Sequence, residues 1–349
     1  MNEKDLENAK REKLRREKPG VYEKVMKIAD RHARGVATPI IDIGYNYSCN
    51  MNCRHCCASR FEKKNRRLAP DDLQNLSNQA HDLGLCQFCI SGGEPLLFKD
   101  LDDVLLALQP EKFHLTMSTN AYFMTKEKAK HLKQLGLDKV KISVDDFDSA
   151  RHDENRGKLG AYSRAIEGLE NARDAGLNVV IQTVVTRQNC KSEGTIAMAE
   201  FAKKNGYIFD VMVVRAIGEL EGNYDVLINE EDSAFLLELH EKYPNMHRDT
   251  FPAYGMSKGC SCVNSTLHLT QFGDILPCAY IHISIGDFFS ESLEDIISRG
   301  QRIRHFRKYS KLCLSGEDRA FIQKYMSKFY GKPLPIPWWE AFEKDDFEE

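Results

Sequence analysis

Long apolar runs are missing from this chain of 349 residues. No stretch approaches the ~20 apolar residues that a membrane-spanning helix needs, and the most apolar run, Val179 to Val185, is broken by Gln182. The N-terminus, Met1-Asn-Glu-Lys-Asp-Leu, has no apolar signal core. An excess of one charge is missing too: 49 Lys and Arg against 52 Asp and Glu leave a formal net charge of -3. Such a balance gives no footing to nucleic acid, a polyanionic partner or a membrane surface. Internal repeats and low-complexity segments are likewise absent. Cysteine, in contrast, is plentiful. There are eleven, an odd number, without an export signal, so the expected location is a reducing cytoplasm, where thiols serve metals or redox chemistry better than disulfides.

The chain is long enough for a barrel or for one domain plus a smaller appendage. Residues 1–37 read as a helical lead-in that packs the side carrying Val21, Tyr22, Val25, Met26 and Ile28 on the body. From residue 38 strand and helix patterns alternate. Strands are expected at 39–45, 86–90, 113–118, 138–144, 178–186 and 208–214. The first of the helices opens at Pro70 and stops at Gly84, and the others are expected at 101–108, 125–135, 161–175 and 192–204. Six strands with a helix after each of the first five predict an α/β fold with a parallel sheet and helices outside. Six units are too few for the complete eight-unit barrel, and an open doubly wound sheet would give the same linear pattern. After residue 216 the texture changes. A linker loop and helix are expected over 217–250 and a small α+β domain over 251–330, with a hairpin at 264–281 turning at Phe272-Gly273-Asp274. An acidic tail closes the chain at 331–349.

Directly after the first strand comes Tyr47-Ser-Cys-Asn-Met-Asn-Cys-Arg-His-Cys. An iron-sulfur cluster usually takes four thiolates. Cys49, Cys53 and Cys56 supply three, and the adjoining Cys57 cannot easily reach a separate corner, so one iron is left open to bind a reagent. Structural zinc prefers two separated pairs of Cys or His. A disulfide framework belongs to short secreted chains, and a redox pair of Cys53 and Cys56 would leave Cys49 unexplained. The C-x3-C-x2-C spacing resembles the signature of the radical S-adenosylmethionine (SAM) enzymes. In that family the open iron of a 4Fe-4S cluster chelates SAM, which reductive cleavage turns into methionine and a 5'-deoxyadenosyl radical able to attack unactivated C–H bonds.

Further segments carry the same resemblance. Ser91-Gly92-Gly93-Glu94-Pro95 ends the second strand and is similar to the family's GGE motif, which holds the amino group of SAM. The bare reading is a turn whose glycines let backbone approach a ligand. Ser118-Thr119-Asn120 and Ser143-Val144-Asp145 end the next two strands, where ligand sites of parallel α/β proteins gather. Asn120 and Asp145 are equally readable as caps. By resemblance Thr119 and Ser143 are SAM-binding positions, Asp145 matches the Asp of the S-x-D strand, and Asp146 departs from the glycine that often follows. His152-Asp-Glu-Asn-Arg-Gly157 resembles the HD-x-x-R-G stretch of the subgroup with extra clusters, which makes Arg156 the clamp for the methionyl carboxylate. Gln182 is a weaker cofactor-binding candidate.

Cys262, ten residues, Gly273, four residues and Cys278 repeat the opening of the SPASM or twitch extension, a hairpin carrying an auxiliary 4Fe-4S cluster. With Cys260 and Cys313 they form a candidate set of three or four ligands, for which structural zinc fits equally well in bare chemistry. Cys57, Cys86, Cys89 and Cys190 read as small buried hydrophobes, or as donors of hydrogen to a substrate radical. His268, His282, Trp338 and Trp339 read as packing or surface residues.

The resemblance therefore implies a partial (βα)6 TIM-type barrel with a twitch/SPASM-like domain, one auxiliary cluster, and a flavodoxin or ferredoxin type reductant. With no leader-peptide-binding domain ahead of the barrel, a small-molecule substrate is expected, and the reaction expected is oxidation of a sugar, polyol or aminocyclitol. The alternatives are a peptide-modifying enzyme, forming a cross-link or inverting a stereocentre, and a tetrapyrrole decarboxylase. Molybdopterin-type cyclisation is disfavoured by the missing C-terminal Gly-Gly. The contrasting class is an iron-sulfur redox-sensing protein that needs no SAM.

Overall fold

The computed structural model describes residues 3–58, 61, 64–248, 250 and 259–347. The first eight residues of the expected α+β domain, 251–258, and the last two residues of the acidic tail lie outside them.

Seven strands run parallel: β1 (Ile40–Asn46), β2 (Gln87–Gly92), β3 (His114–Thr119), β4 (Lys139–Ser143), β5 (Asn178–Val185), β6 (Ile208–Val213) and β7 (Met246–Arg248). Strand and helix alternate through β6 as the periodicity predicts. The helices start and stop where local chemistry says they should. Asp72 accepts the Ala69 N–H at 3.0 Å at the start of Pro70–Asp82. Thr125 accepts from Lys128 at the start of Lys126–Gln134, and Ser192 caps Glu193–Asn205. On β4, Val140 and Ile142 are buried while Lys139, Lys141 and Ser143 face the other way. Lys141 reaches Asp210 of β6 at 3.0 Å across the intervening β5. A contact that skips a strand is made across a concave face, as in a curved, barrel-like sheet.

The hairpin β8 (Thr266–Thr270) and β9 (Asp274–Leu276) joins this same sheet. β8 lies parallel to β1, with Ile41 opposite Leu267 and Asp42 opposite His268, and β9 returns antiparallel to β8. A short strand, Gly286–Asp287, completes a ten-stranded sheet among the described residues. The architecture is the α/β partial barrel with a C-terminal domain built on its first strand.

The lead-in packs at the opposite end from the cysteine loop. Val21, Val25 and Ile28 bury against Cys86. Lys18 Nζ donates to the carbonyls of Phe113 and Gly136 and lies 2.5 Å from Asp138, tying the helices to the beginnings of β3 and β4. No helix among the described residues is long and apolar enough to cross a membrane.

Candidate functional site

Leaving β1, the chain from Tyr47 to Cys57 crosses the carboxyl ends of the strands, held by backbone from three directions. Asn46 and Ser48 accept from Gly93 and Glu94 at 2.8 and 2.9 Å. The Asn52 and Arg54 amides donate to the carbonyls of Arg156 and Asn155, and the Glu219 amide to that of Cys56 at 3.0 Å. Glycine is a steric requirement at two of these contacts. A Cβ on Gly93 would stand 2.1 Å from the Ser48 oxygen, and one on Gly218, at φ +59°, 2.1 Å from the Cys56 oxygen. Thus the close approach served by Gly92 and Gly93 is made by the cysteine loop itself.

None of the eleven cysteines forms a disulfide. Cys49 is exposed, Cys53 and Cys56 are half-buried. Asn120 Nδ2 lies 4.0 Å from Cys49 Sγ and Arg156 Nη1 3.8 Å from Cys53 Sγ. Burial pushes the Cys53 thiol up, and the Arg156 charge works against it. Three free thiols on one rigid loop, with a cation and an amide beside them, suit a cluster that retains an open corner.

Around them the other candidates divide. Glu94 is fully buried and both carboxylate oxygens are taken: Thr119 Oγ1 donates at 2.5 Å, the Asn120 N–H at 2.7 Å and the Leu96 N–H at 3.0 Å. Glu94 and Thr119 therefore brace β2 against β3. Asn120 Nδ2 also reaches Asn50 of the cysteine loop at 2.9 Å. Arg156 is clamped on Asp145, with Nη2 donating to Oδ1 at 2.7 Å. Its Nε lies 2.7 Å from Oδ2, at an angle too poor for a hydrogen bond. His55 stands 3.8 Å from the same carboxylate, and His152 Nδ1 accepts the Asp145 N–H. Burial pushes Asp145 up, yet Arg156, His55 and His152 outweigh it and hold the pKa at about 2. Ser143 and Gln182 are register neighbours, and Gln182 Nε2 donates to Asp210 at 3.3 Å.

Several lumenal residues escaped the sequence reading. Asp42 accepts from His268 Nδ1 at 2.6 Å, and Tyr47 OH lies 3.4 Å from His268 Nε2. Burial pushes Asp42 up, while the His268 hydrogen bond and charge keep it below the usual carboxylate range. His268 is buried and pairs with Asp42 across the β1–β8 register. Cys89 lies 3.6 Å from Ser118. The signal available was a charge in the middle of an apolar strand: Asp42 among isoleucines, Lys141 and Asp210 between valines and other apolar residues.

The later cysteines converge at the seam between the hairpin and β6. Cys262 precedes β8, Cys278 follows β9, and Cys260 Sγ lies 3.6 Å from Cys262 Sγ. Hydrogen bonds from the Cys262 and Cys313 thiols hold Cys260 well below the ordinary thiol range, and Cys262 is linked onward to Cys278. Cys313 is fixed by Glu317, whose carboxylate accepts the Cys313 N–H at 3.1 Å and pairs with Arg248 at 2.6 Å. Among the described residues no group of three or more Cys, His, Asp or Glu is drawn tightly enough to cage one ion. Four free thiols brought from three segments of the chain fit an iron-sulfur cluster by donor chemistry.

Two family models match this chain: the Radical SAM superfamily over residues 45–197 and the SPASM iron-sulfur cluster-binding domain over 260–316. The chain belongs to the radical SAM superfamily, in its SPASM-bearing branch. Its relatives include an AdoMet-dependent heme synthase of Nitratidesulfovibrio vulgaris, 24% identical over 78% of this chain and 86% of the relative. A GTP 3',8-cyclase of Campylobacter fetus subsp. fetus is 29% identical over 66% of this chain and 77% of the relative. Among solved structures, Streptococcus suis SuiB bound to its precursor peptide SuiA aligns with TM-score 0.59 and 20% identity, over 77% of this chain and 66% of SuiB. AdoMet-bound anSMEcpe also aligns with TM-score 0.59, at 17% identity, over 79% of this chain and 84% of that one. These likenesses establish the partial-barrel fold. The protein is an enzyme of radical chemistry whose cofactors are SAM and iron-sulfur clusters.

Proposed function

We propose that this enzyme abstracts hydrogen from a carboxylate-bearing side chain of a tetrapyrrole, that the substrate radical loses carbon dioxide and passes its remaining electron to the auxiliary iron-sulfur cluster, leaving an alkene, and that a sugar, polyol or aminocyclitol is not its substrate. The observation that carries this reading is the match to a heme synthase over 78% of this chain and 86% of that relative. None of the relatives named above is a sugar or polyol enzyme. Lumen chemistry supports it. The Tyr47 and Phe61 rings stack with centroids 5.0 Å apart and an interplanar angle of 9°, a flat aromatic wall suited to a planar macrocycle. Lys141 offers an ammonium group to a carboxylate, held in place by Asp210.

Cys49, Cys53 and Cys56 would hold the radical-generating cluster, which with SAM supplies the 5'-deoxyadenosyl radical. Arg156 has Nε and Nη2 turned to Asp145 and Nη1 turned toward Cys53. Arg156 would meet the methionyl carboxylate through Nη1, the nitrogen not turned to Asp145, with Asp145 fixing its orientation. Asn120, Ser143 and Gln182 would complete that pocket, and Glu94 and Thr119 would shape it. Cys260, Cys262, Cys278 and Cys313 would hold the auxiliary cluster. A flavodoxin or ferredoxin type protein in the cytoplasm would supply electrons.

The test is anaerobic turnover of reconstituted protein with SAM, reductant and iron-coproporphyrin III, set beside a polyol mixture and a peptide mixture. Expected is 5'-deoxyadenosine and loss of carbon dioxide only with the tetrapyrrole, both abolished by Cys53→Ala. Production stimulated by the polyol or peptide mixture alone would overturn the reading.

A further inference from the structure

Arg215 lies two residues after the end of β6, outside both segments that the family models match. It is 6% exposed. Its Nη2 donates to Cys313 Sγ at 3.4 Å, its Nε to Ser315 Oγ at 3.4 Å, and its Nη1 to the Val213 carbonyl. The guanidinium also lies 4.0 Å over the ring of Tyr280, two residues after Cys278. One barrel residue therefore touches the segments carrying two of the four later cysteines. The fit is close: a Cβ on Gly316 would stand 2.9 Å from Val213 and 3.6 Å from Arg215 Nε. On its other side the Arg215 charge acts on Cys57, the neighbour of Cys56.

We propose that Arg215 is a positioning residue that raises the reduction potential of the auxiliary cluster by donating a hydrogen bond and a fixed positive charge to Cys313. This rests on the reading that Cys260, Cys262, Cys278 and Cys313 hold that cluster. The physical argument is direct. Reduction adds negative charge to a cluster and its thiolates, and a donor aimed at a ligand sulfur stabilises the reduced form. A buried cation does so more strongly than a solvated one, because little solvent screens it. The charge is permanent at any working pH. Arg215 thereby couples the barrel to the second domain electrostatically as well as sterically.

The experiment is a potentiometric titration of the reconstituted holoenzyme followed by electron paramagnetic resonance, with both clusters resolved, for wild type, R215K, R215Q and R215M. Expected is a lower auxiliary potential in R215M and R215Q, by about tenfold in the reduced-to-oxidised ratio, which is about 59 mV for one electron. R215K should fall in between, and the SAM-binding cluster should move far less. An unchanged auxiliary potential at full iron content would overturn the proposal, as would equal shifts of both clusters. Loss of the auxiliary iron in R215K as well as R215M would mark Arg215 as a brace only and also overturn it. Cys313→Ser is the separate control: wild-type iron content there would remove the ligand reading itself, whatever Arg215 does.

Discussion

The carboxylate of Asp145 supports the cysteine loop from below, with Arg156, His55 and His152 gathered around it. Both partners of the Arg156 pair are buried, so removing one strands the other. Asp145→Asn is expected to destabilise the enzyme by about 3–5 kcal/mol, read as a lower denaturation midpoint; a change below about 1 kcal/mol would show the pair to be dispensable. His282 gives a prediction of opposite sign. It is fully buried between Phe61 and Phe329, neither ring nitrogen makes a well-aligned hydrogen bond among the described residues, and burial together with the His268 charge pushes its pKa down to about 3 despite the nearby Ala279 backbone. A neutral histidine in the folded state, against about 6.5 when unfolded, costs stability as pH falls below 6.5. His282→Phe should therefore be near neutral at pH 7.5 and stabilising at pH 5, measured by denaturation at both. Candidates such as Glu94 and Arg156 were legible in the sequence because each sits in a short local motif. Their partners were not: Asp42 and His268 are 226 residues apart, and only the pairing of β8 with β1 brings them together.

At the scale of elements, the loop carrying the first three cysteines owes its shape to what it leans on. Gly93→Ala would place a methyl group against the Ser48 carbonyl, a backbone atom that cannot rotate aside. We expect this variant to lose roughly half of its iron, the share of the first of two four-iron clusters, while the auxiliary signal persists in electron paramagnetic resonance. Full iron content would mean that the loop tolerates the displacement. The first six strands and the helices after the first five were readable from periodicity, since each helix buries one face and each strand alternates or runs apolar in the expected rhythm. β7 was not, because three residues carry no period. The hairpin was readable as a hairpin, yet nothing in its alternation says which edge it joins.

For the molecule as a whole, β8 covers the flank of β1, where Ile41 and Ile43 are fully buried. Barrel and C-terminal domain thus share one sheet. Removing residues 259–349 would expose an apolar edge strand, and the shortened protein is expected to aggregate rather than fold as a free barrel. A soluble, monodisperse 1–258 fragment with the wild-type far-ultraviolet spectrum would count against a shared core. Intact enzyme should likewise unfold in one transition by circular dichroism and by cluster absorbance.

The same pairing sets an order in time. While the chain is being made, β1 appears early and its neighbour β8 more than two hundred residues later. At about 5–20 residues per second this is a wait of roughly 10–45 seconds. During that interval Asp42 has no His268 to answer it, and the Tyr47 amide has no Gln271 side chain, 224 residues on, to receive its proton. The loop that carries the three thiols gains this last anchor only when β8 and the turn after it have arrived. Iron delivered to a nascent chain would meet a cysteine loop that still lacks its Gln271 anchor.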